Sequence, residues 1–419
     1  MKPGYAFVIP WPITLAGGVN HVIHHLARES KQEGRYEPIY FESSWQHQRP
    51  EIDEVSGIRR VRVRMRAPIY EGRWAPEYLA FLPAEIAKWR RLIRDHRIAV
   101  VNPYFLSLQQ LAVAVLRAGG LFDGKFIVTY QGSDVRTTLA APPAERRLLR
   151  WILHCADAIV PCSRGLGEEL LDFDRSLARK FRPILNGVSG PEFLACRDPQ
   201  FDAAALIPPG RRLVLNVAAY QYRKGHDLLL NAFSEISKRI DDLHLAIVGG
   251  SGPELDRTRQ QVARLNLDNR VSLLVNEPYD RIPAYMAISE VFVLTSRWVK
   301  GKMGEGLPLA LLEAGVAGVP VVSTASTGVD EVVTDGVHGR VVPVEDTAAL
   351  AKALADVLAD PVAARRRADL LRTRLAAEFT WASRWRLYSR LSDGQRLPGP
   401  GGGPVGMEPG VGRSYDPTQ

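Results

Sequence analysis

Two carboxylates, Glu305 and Glu313, stand out because of their surroundings rather than their spacing. They lie in Gly304-Glu305-Gly306-Leu307-Pro308, which follows the apolar run Val291–Leu294, and in the apolar stretch after it. A helix is expected to begin near Leu307, because Pro308 suits a first helical turn. Such a start leaves backbone N–H groups free under a partial positive charge, a setting for phosphate or sugar oxygens. Gly304 and Gly306 let a ligand approach the backbone closely. Glu305 then sits at the mouth of the site and Glu313 about two turns along, where ionised carboxylates accept hydrogen bonds from hydroxyls. Average composition yields roughly one or two such Glu pairs by chance in a chain this long, so the strand–glycine–proline–helix setting carries the weight.

Further motifs fall in order around this stretch. The second half holds Leu215–Phe233 with Arg223-Lys224-Gly225 inside it, the turn Gly249–Pro253 with Gly252, and Val319–Glu331 with Thr327-Gly328. The first half holds Gly17-Gly18, then Gln131-Gly132-Ser133-Asp134, Ala156–Ser163 and Asn186-Gly187-Val188. Together with Thr380-Trp381 they resemble the retaining glycosyltransferases of family 4, whose fold is GT-B and whose motif is Glu-x7-Glu. The resemblance runs over most of residues 1–392. It implies transfer of a sugar from a nucleotide-diphosphate sugar to a glycan or lipid-linked acceptor, with an α-linkage formed and no metal.

The same resemblance assigns roles. Lys224, with Arg223, is expected to hold the donor diphosphate and offset charge on the leaving group. Glu313 is expected to bind ribose hydroxyls. Glu305 binds the donor sugar with the amides of Gly306 and Leu307. Thr327 and Gly328 bring amides near the phosphates, and Gly17 and Gly18 close over them from the other domain. Gly225, Gly249, Gly252 and Gly304 complete the donor-side loops. Two positions depart from the family. Ala218-Ala219 stands where Gly-Arg is common, and Gln131 replaces a His near the reacting sugar. Gln can hydrogen-bond a hydroxyl but takes no proton near neutral pH. The departing phosphate is the base in the family's retaining reaction, which makes Gln131 tolerable.

The elements that must position these residues read as two α/β series. The first has strands at Tyr5–Ile9, Pro38–Phe41, Val61–Met65, Ala99–Asn102, Phe126–Thr129 and Ala158–Val160. Helical periods follow at Val19–Ser30, Glu85–His96, Leu108–Ala118 and Arg164–Phe173. The second series has strands at Arg212–Val217, Leu245–Val248, Val271–Leu274, Val291–Leu294 and Val319–Ser323. This alternation predicts two facing, doubly wound Rossmann-like domains with ligands beyond the strand C-termini. The expected division is residues 1–190 on the acceptor side and 191–380 on the donor side. A helix over 381–395 crosses back to the first domain, and 396–419 is a Gly/Pro-rich disordered tail.

Composition agrees with an ordinary soluble globular protein: 46% hydrophobic and 24% charged over 419 residues. No apolar run approaches the roughly 20 residues needed to span a bilayer. Cys155, Cys162 and Cys196 have no metal-type spacing and read as half-buried thiols in a reducing, cytoplasmic compartment. Residues 1–190 hold 27 Lys and Arg against 19 Asp and Glu, so the whole formal net charge of +8 falls there. Arg60, Arg62, Arg64 and Arg66 alternate with Val61, Val63 and Met65, which in a strand puts four guanidinium groups on one face. Lys88-Trp89-Arg90-Arg91 follows on a basic helix, with Tyr70 and Trp74 between. Attachment to an anionic membrane surface and a solvated basic face are equal readings of this cluster. Nucleic acid fits less well, since no recognition helix or stacking motif accompanies it. UDP-sugars lead as donors by frequency, with GDP-mannose beside them. A catalytically silent sugar-nucleotide-binding partner and a GT-B sugar-nucleotide epimerase are the rival readings.

Overall fold

The computed structural model describes residues 2–15, 17–47, 49–66, 69–70, 73–74, 77–298, 306–395 and 397. Gly304 and Glu305, and the segment from Pro398 onward, lie outside these residues, as do the side chains of Tyr70 and Trp74.

The first half contributes strands β1 (Gly4–Ile9), β2 (Glu37–Ser43), β3 (Glu51–Val55), β4 (Ile58–Val63), β5 (Ile69–Tyr70), β6 (Arg73–Trp74), β7 (Ile98–Pro103), β8 (Lys125–Tyr130) and β9 (Ala158–Pro161). Its helices are α1 (Gly18–Glu33), α2 (Glu77–Asp95), α3 (Leu111–Ala118), α4 (Ser133–Ala140), α5 (Pro143–Cys155), α6 (Arg164–Phe173) and α7 (Gly190–Ala195). Seven strands form one sheet in the order β3-β4-β2-β1-β7-β8-β9, parallel except for edge strand β3. The pair β5–β6 stands apart as a small ribbon.

The second half builds a six-stranded, wholly parallel sheet, β12-β11-β10-β13-β14-β15. Its strands are β10 (Arg212–Val217), β11 (Leu243–Gly249), β12 (Val271–Val275), β13 (Ser289–Leu294), β14 (Val321–Thr324) and β15 (Arg340–Val342). The helices are α8 (His226–Ile236), α9 (Leu255–Arg264), α10 (Ile282–Ala287), α11 (Leu309–Val316), α12 (Thr347–Ala359), α13 (Pro361–Glu378) and α14 (Trp381–Ser392). Central strands such as β11, buried from Leu243 to Val248, are apolar on both faces, as a helix-covered parallel sheet requires.

Helix α14 packs on α1 and helps fill one face of the first sheet. Trp385 is buried among Tyr5, Phe7 and Tyr36, and its indole N–H donates to Glu33 Oε2 at 2.6 Å. Trp381 lies flat on His25, with ring centroids 4.9 Å apart.

The arginine stripe is less uniform than alternation suggested. Strand β4 ends at Val63, so only Arg60 and Arg62 belong to it. Acidic edge strand β3, which the apolar pattern did not reveal, neutralises both. Arg60 donates to Asp53 at 2.7 Å and Arg62 to Glu51 at 2.8 Å. Arg64 and Arg66 instead lie over the rings of Trp45 and Phe81, both partly exposed. Trp89 is not on the basic face of α2: it is 1% exposed, in the core beside Phe41. Its indole therefore serves packing rather than a surface.

Candidate functional site

The loop after β1 reaches the cleft between the two domains under tight control. Asn20 on α1 accepts from the Trp11 indole at 2.8 Å and donates to the carbonyls of Pro12 and Leu15. Glu42, 2% exposed, accepts the Ile13 amide at 2.8 Å. Gly17, at the start of α1, has extended backbone and open space where a side chain would be. Gly18 looks across the cleft at Leu309, the first residue of α11.

After β8, the Gln131–Gly132 turn is held by Asp134, whose carboxylate accepts the amides of Gln131, Gly132 and Val135. Burial pushes that carboxyl up to about 6, against the pull of the amides. Gly132 has φ 142°, a conformation that excludes most side chains. The Gln131 side-chain Nε2 is buried without a hydrogen-bond partner among the described residues. A Cβ on Gly306 would fall 2.5 Å from the Gln131 carbonyl and 2.2 Å from Cys162 Sγ. The two domains thus meet backbone to backbone here, which only glycine permits. Gly328 completes the seam. It has φ 83°, and a Cβ there would stand 3.0 Å from Ser163 Cβ and 3.2 Å from the Gly306 carbonyl.

Helix α11 starts at Leu309, two residues later than the sequence suggested. Pro308, with ψ 120°, is still extended and caps the helix from outside. Gly306 and Leu307 therefore precede the helix, and the Leu307 carbonyl accepts from Asn186 Nδ2 at 3.3 Å. Glu313 is buried on this helix. Its carboxylate accepts the Tyr279 hydroxyl at 2.7 Å, and burial raises its pKa to about 7.

Arg223 and Lys224 occupy a short 3-10 turn, Tyr222–Lys224, between β10 and α8. Arg223 Nε donates to Gln221 Oε1 at 2.8 Å. Gly225 must be glycine, because φ is 65° and a Cβ would lie 2.1 Å from the Thr295 carbonyl. The chain beyond β13 clamps this turn from the other side. The Thr295 hydroxyl donates to the Lys224 carbonyl at 2.9 Å, and the Arg297 amide to the Arg223 carbonyl at 2.8 Å. Arg297, 3% exposed, is locked by Asp227 and Glu345 and lies over the Tyr222 ring. Gly249 and Gly252 have a packing reason to be glycine, since side chains would strike the carbonyls of Ala218 and Tyr220.

Gln131, Gly306, Leu307 and Gly328 thus meet at one seam, Gly18 faces Leu309 across the cleft, and Thr327 lies against Gly165 of α6, with Lys224 and Glu313 on neighbouring elements of the second domain. Tyr279 and His21 meet each other only across the fold, and nothing in their local sequence marks them; Arg297 opens the stretch that leads to Glu305, but its clamp on Asp227 and Glu345 is visible only in the fold. Glu331 ended a quoted motif without a role. It reaches across the seam to accept the Arg164 amide at the start of α6 at 2.6 Å, and burial raises its pKa to about 7. Among the described residues, no cluster of His, Cys, Asp and Glu is arranged to hold a metal ion.

Residues 16–189 match the family described as Glycosyltransferase Family 4, and residues 198–372 match Glycosyl transferases group 1. A GDP-mannose-dependent alpha-(1-6)-phosphatidylinositol monomannoside mannosyltransferase of Mycolicibacterium smegmatis is 30% identical over 321 residues, spanning 75% of this chain and 81% of that protein. Among solved structures, a sucrose-phosphate synthase of Thermosynechococcus elongatus superposes with a TM-score of 0.73 at 23% identity, covering 94% of this chain and 99% of that one. The Anabaena protein HepE, in complex with UDP and glucose, superposes with a TM-score of 0.71 at 14% identity, covering 93% and 100%.

Proposed function

This chain belongs to glycosyltransferase family 4, a nucleotide-sugar-dependent glycosyltransferase of GT-B fold, and from that premise we propose that it moves a mannosyl group from GDP-mannose to a glycan or lipid-linked acceptor with retention at the anomeric carbon. The likeness to GDP-mannose-dependent mannosyltransferases is the observation that carries the donor assignment and sets GDP-mannose ahead of UDP-sugars.

In this reading Glu313 takes the ribose hydroxyls, and Lys224 and Arg223 face the diphosphate. The anomeric C–O bond to phosphate breaks as the acceptor oxygen bonds to that carbon from the same side. The acceptor proton passes to the departing phosphate oxygen, so no protein base is needed. Gln131, whose Nε2 is buried with no partner among the described residues, hydrogen-bonds the sugar rather than moving a proton. The cationic turn and the amides before α11 supply the electrostatic stabilisation a metal would otherwise provide. Release of GDP from GDP-mannose with acceptor tests the donor, run beside UDP-glucose and UDP-N-acetylglucosamine. Faster turnover of either UDP-sugar rejects the assignment. Undiminished rates in excess chelator are expected, and loss restored by magnesium would sink the metal-free mechanism.

The first domain is also proposed to rest on an anionic membrane surface. All of the net positive charge lies in residues 1–190, and Arg64 and Arg66 sit over partly exposed aromatic rings outside the β3 carboxylate ladder. Glu85 is 3.9 Å from Arg66 but is already held by Lys88 at 2.7 Å. Co-sedimentation with phosphatidylglycerol vesicles tests this; absence of binding at low salt ends it.

A further inference from the structure

Glu313 lines a cavity between the domains together with His21 and His25 of α1, Phe193 of α7, Tyr279 and Trp381. Aromatic rings make up much of that wall, and of its two carboxylates Glu192 is already engaged by Arg28, which leaves Glu313 as the one suited to gripping a diol. Among the described residues, one donor reaches that carboxylate, the Tyr279 hydroxyl at 2.7 Å. Tyr279 comes from the turn before α10, 34 residues away. Its ring lies 5.0 Å from His21 and 6.1 Å from Phe193, and its hydroxyl is 3.5 Å from His21 Nε2. His21 in turn meets His25 at 3.0 Å, Nε2 to Nε2. The phenol is therefore held over Glu313 from both domains, while 43% of the residue remains exposed on the cleft.

We propose that Tyr279 is an internal competitor for the ribose, a positioning residue whose hydroxyl makes to Glu313 the bond a ribose hydroxyl must make, and which nucleotide has to displace. This rests on the reading that Glu313 binds ribose. A phenol O–H and a ribose O–H are alike as donors to a carboxylate, so the exchange conserves hydrogen bonds and is nearly balanced. Its cost appears as weaker nucleotide binding, and its benefit is that the buried carboxylate is never left without a donor. Release of the phenol also frees its contact with His21, so nucleotide arrival is felt by α1 in the other domain.

Calorimetric titration with GDP at pH 8.5 tests the inference on four full-length proteins: the natural chain, Tyr279→Phe, Glu313→Ala and the double variant. Tyr279→Phe is expected to tighten GDP binding by about three- to tenfold, the range of one net hydrogen bond. Glu313→Ala is expected to weaken binding, and the double variant to show no gain over Glu313→Ala alone. Weaker or unchanged binding in Tyr279→Phe overturns the proposal, as does an equal gain in the Glu313→Ala background. GDP binding by Glu313→Ala as tight as the natural chain overturns the ribose reading itself, and the inference with it. The pH profile gives a second readout that simple loosening would not produce. The phenol holds the Glu313 carboxyl down, so without it binding should begin to fail at a higher pH. His21 and His25 from α1, Glu192 of α7 and Cys196 at its end, and Asp280 beside Tyr279 are the other titratable groups nearby among the described residues, and the substitution retains all of them. Coincident acid limbs in the two proteins would also overturn it.

Discussion

Glu313 shows how one residue acquires its properties from its surroundings. Burial raises its carboxyl from an ordinary 4.5 to about 7, and the Tyr279 bond only partly opposes this. The native chain therefore binds this proton more readily than the unfolded chain does. The stability it contributes is fully present below 4.5 and is lost as pH rises through about 7. Nucleotide binding should run the opposite way, because the ionised form accepts two hydroxyl hydrogens. The Kd for GDP should rise roughly tenfold from pH 8 to pH 6 as the carboxylate is protonated, and a flat titration would detach Glu313 from the ribose. Lys224 is a different case, a cation on a rigid turn pinned through its carbonyl by Thr295. Lys224→Ala should lower kcat by about 10²–10³-fold if it meets the leaving diphosphate, measured as GDP release at saturating donor. The type and motif context of both residues were legible in sequence. Tyr279 and His21 were not, because a hydrogen bond or ring contact across 34 or 258 residues leaves no periodic trace.

At the scale of elements, the turn before α8 and the closing helix α14 make opposite demands on the chain. The turn needs the absence of a side chain. Gly225→Ala would force a Cβ into the Thr295 carbonyl at positive φ, so a loss of more than about 1–2 kcal/mol is expected in denaturant unfolding. Helix α14 needs side chains of large area. Trp385→Ala should cost about 3–5 kcal/mol by removing an indole buried among Tyr5, Phe7 and Tyr36 and leaving Glu33 with the Ser389 hydroxyl but without its indole donor. Helix α6 matches its apolar period, Arg164–Phe173, residue for residue, since its period and its Ser163 cap agree. Strand β3 was missed because Glu51-Ile52-Asp53-Glu54 buries almost nothing and is made a strand by pairing with β4. The same pairing turned Arg60 and Arg62 from a cationic face into a charge-balanced edge. Charge reversal at Arg64 and Arg66 should therefore weaken binding to phosphatidylglycerol vesicles more than reversal at Arg60 and Arg62.

For the whole molecule, the decisive feature is a seam in which two sheets present their loops to one another. Gly306 touches the Gln131 turn, Gly328 touches Ser163, and Glu331 meets the start of α6. The sequence by itself determined that there would be two α/β units, through the alternation of apolar strands with amphipathic helices. It also singled out the loops around Gly17, Lys224 and Gly306, because glycines and a proline at strand ends commit the backbone locally. Only the tertiary structure decided which charges remain unbalanced, which carboxylates are buried enough to titrate near 7, and which groups face each other across the cleft. The reason is one of range. Backbone preference and periodicity act over a few residues and leave their mark in the chain order. Burial and pairing depend on distances of a few ångströms between segments hundreds of residues apart, and these exist only once the domains have met.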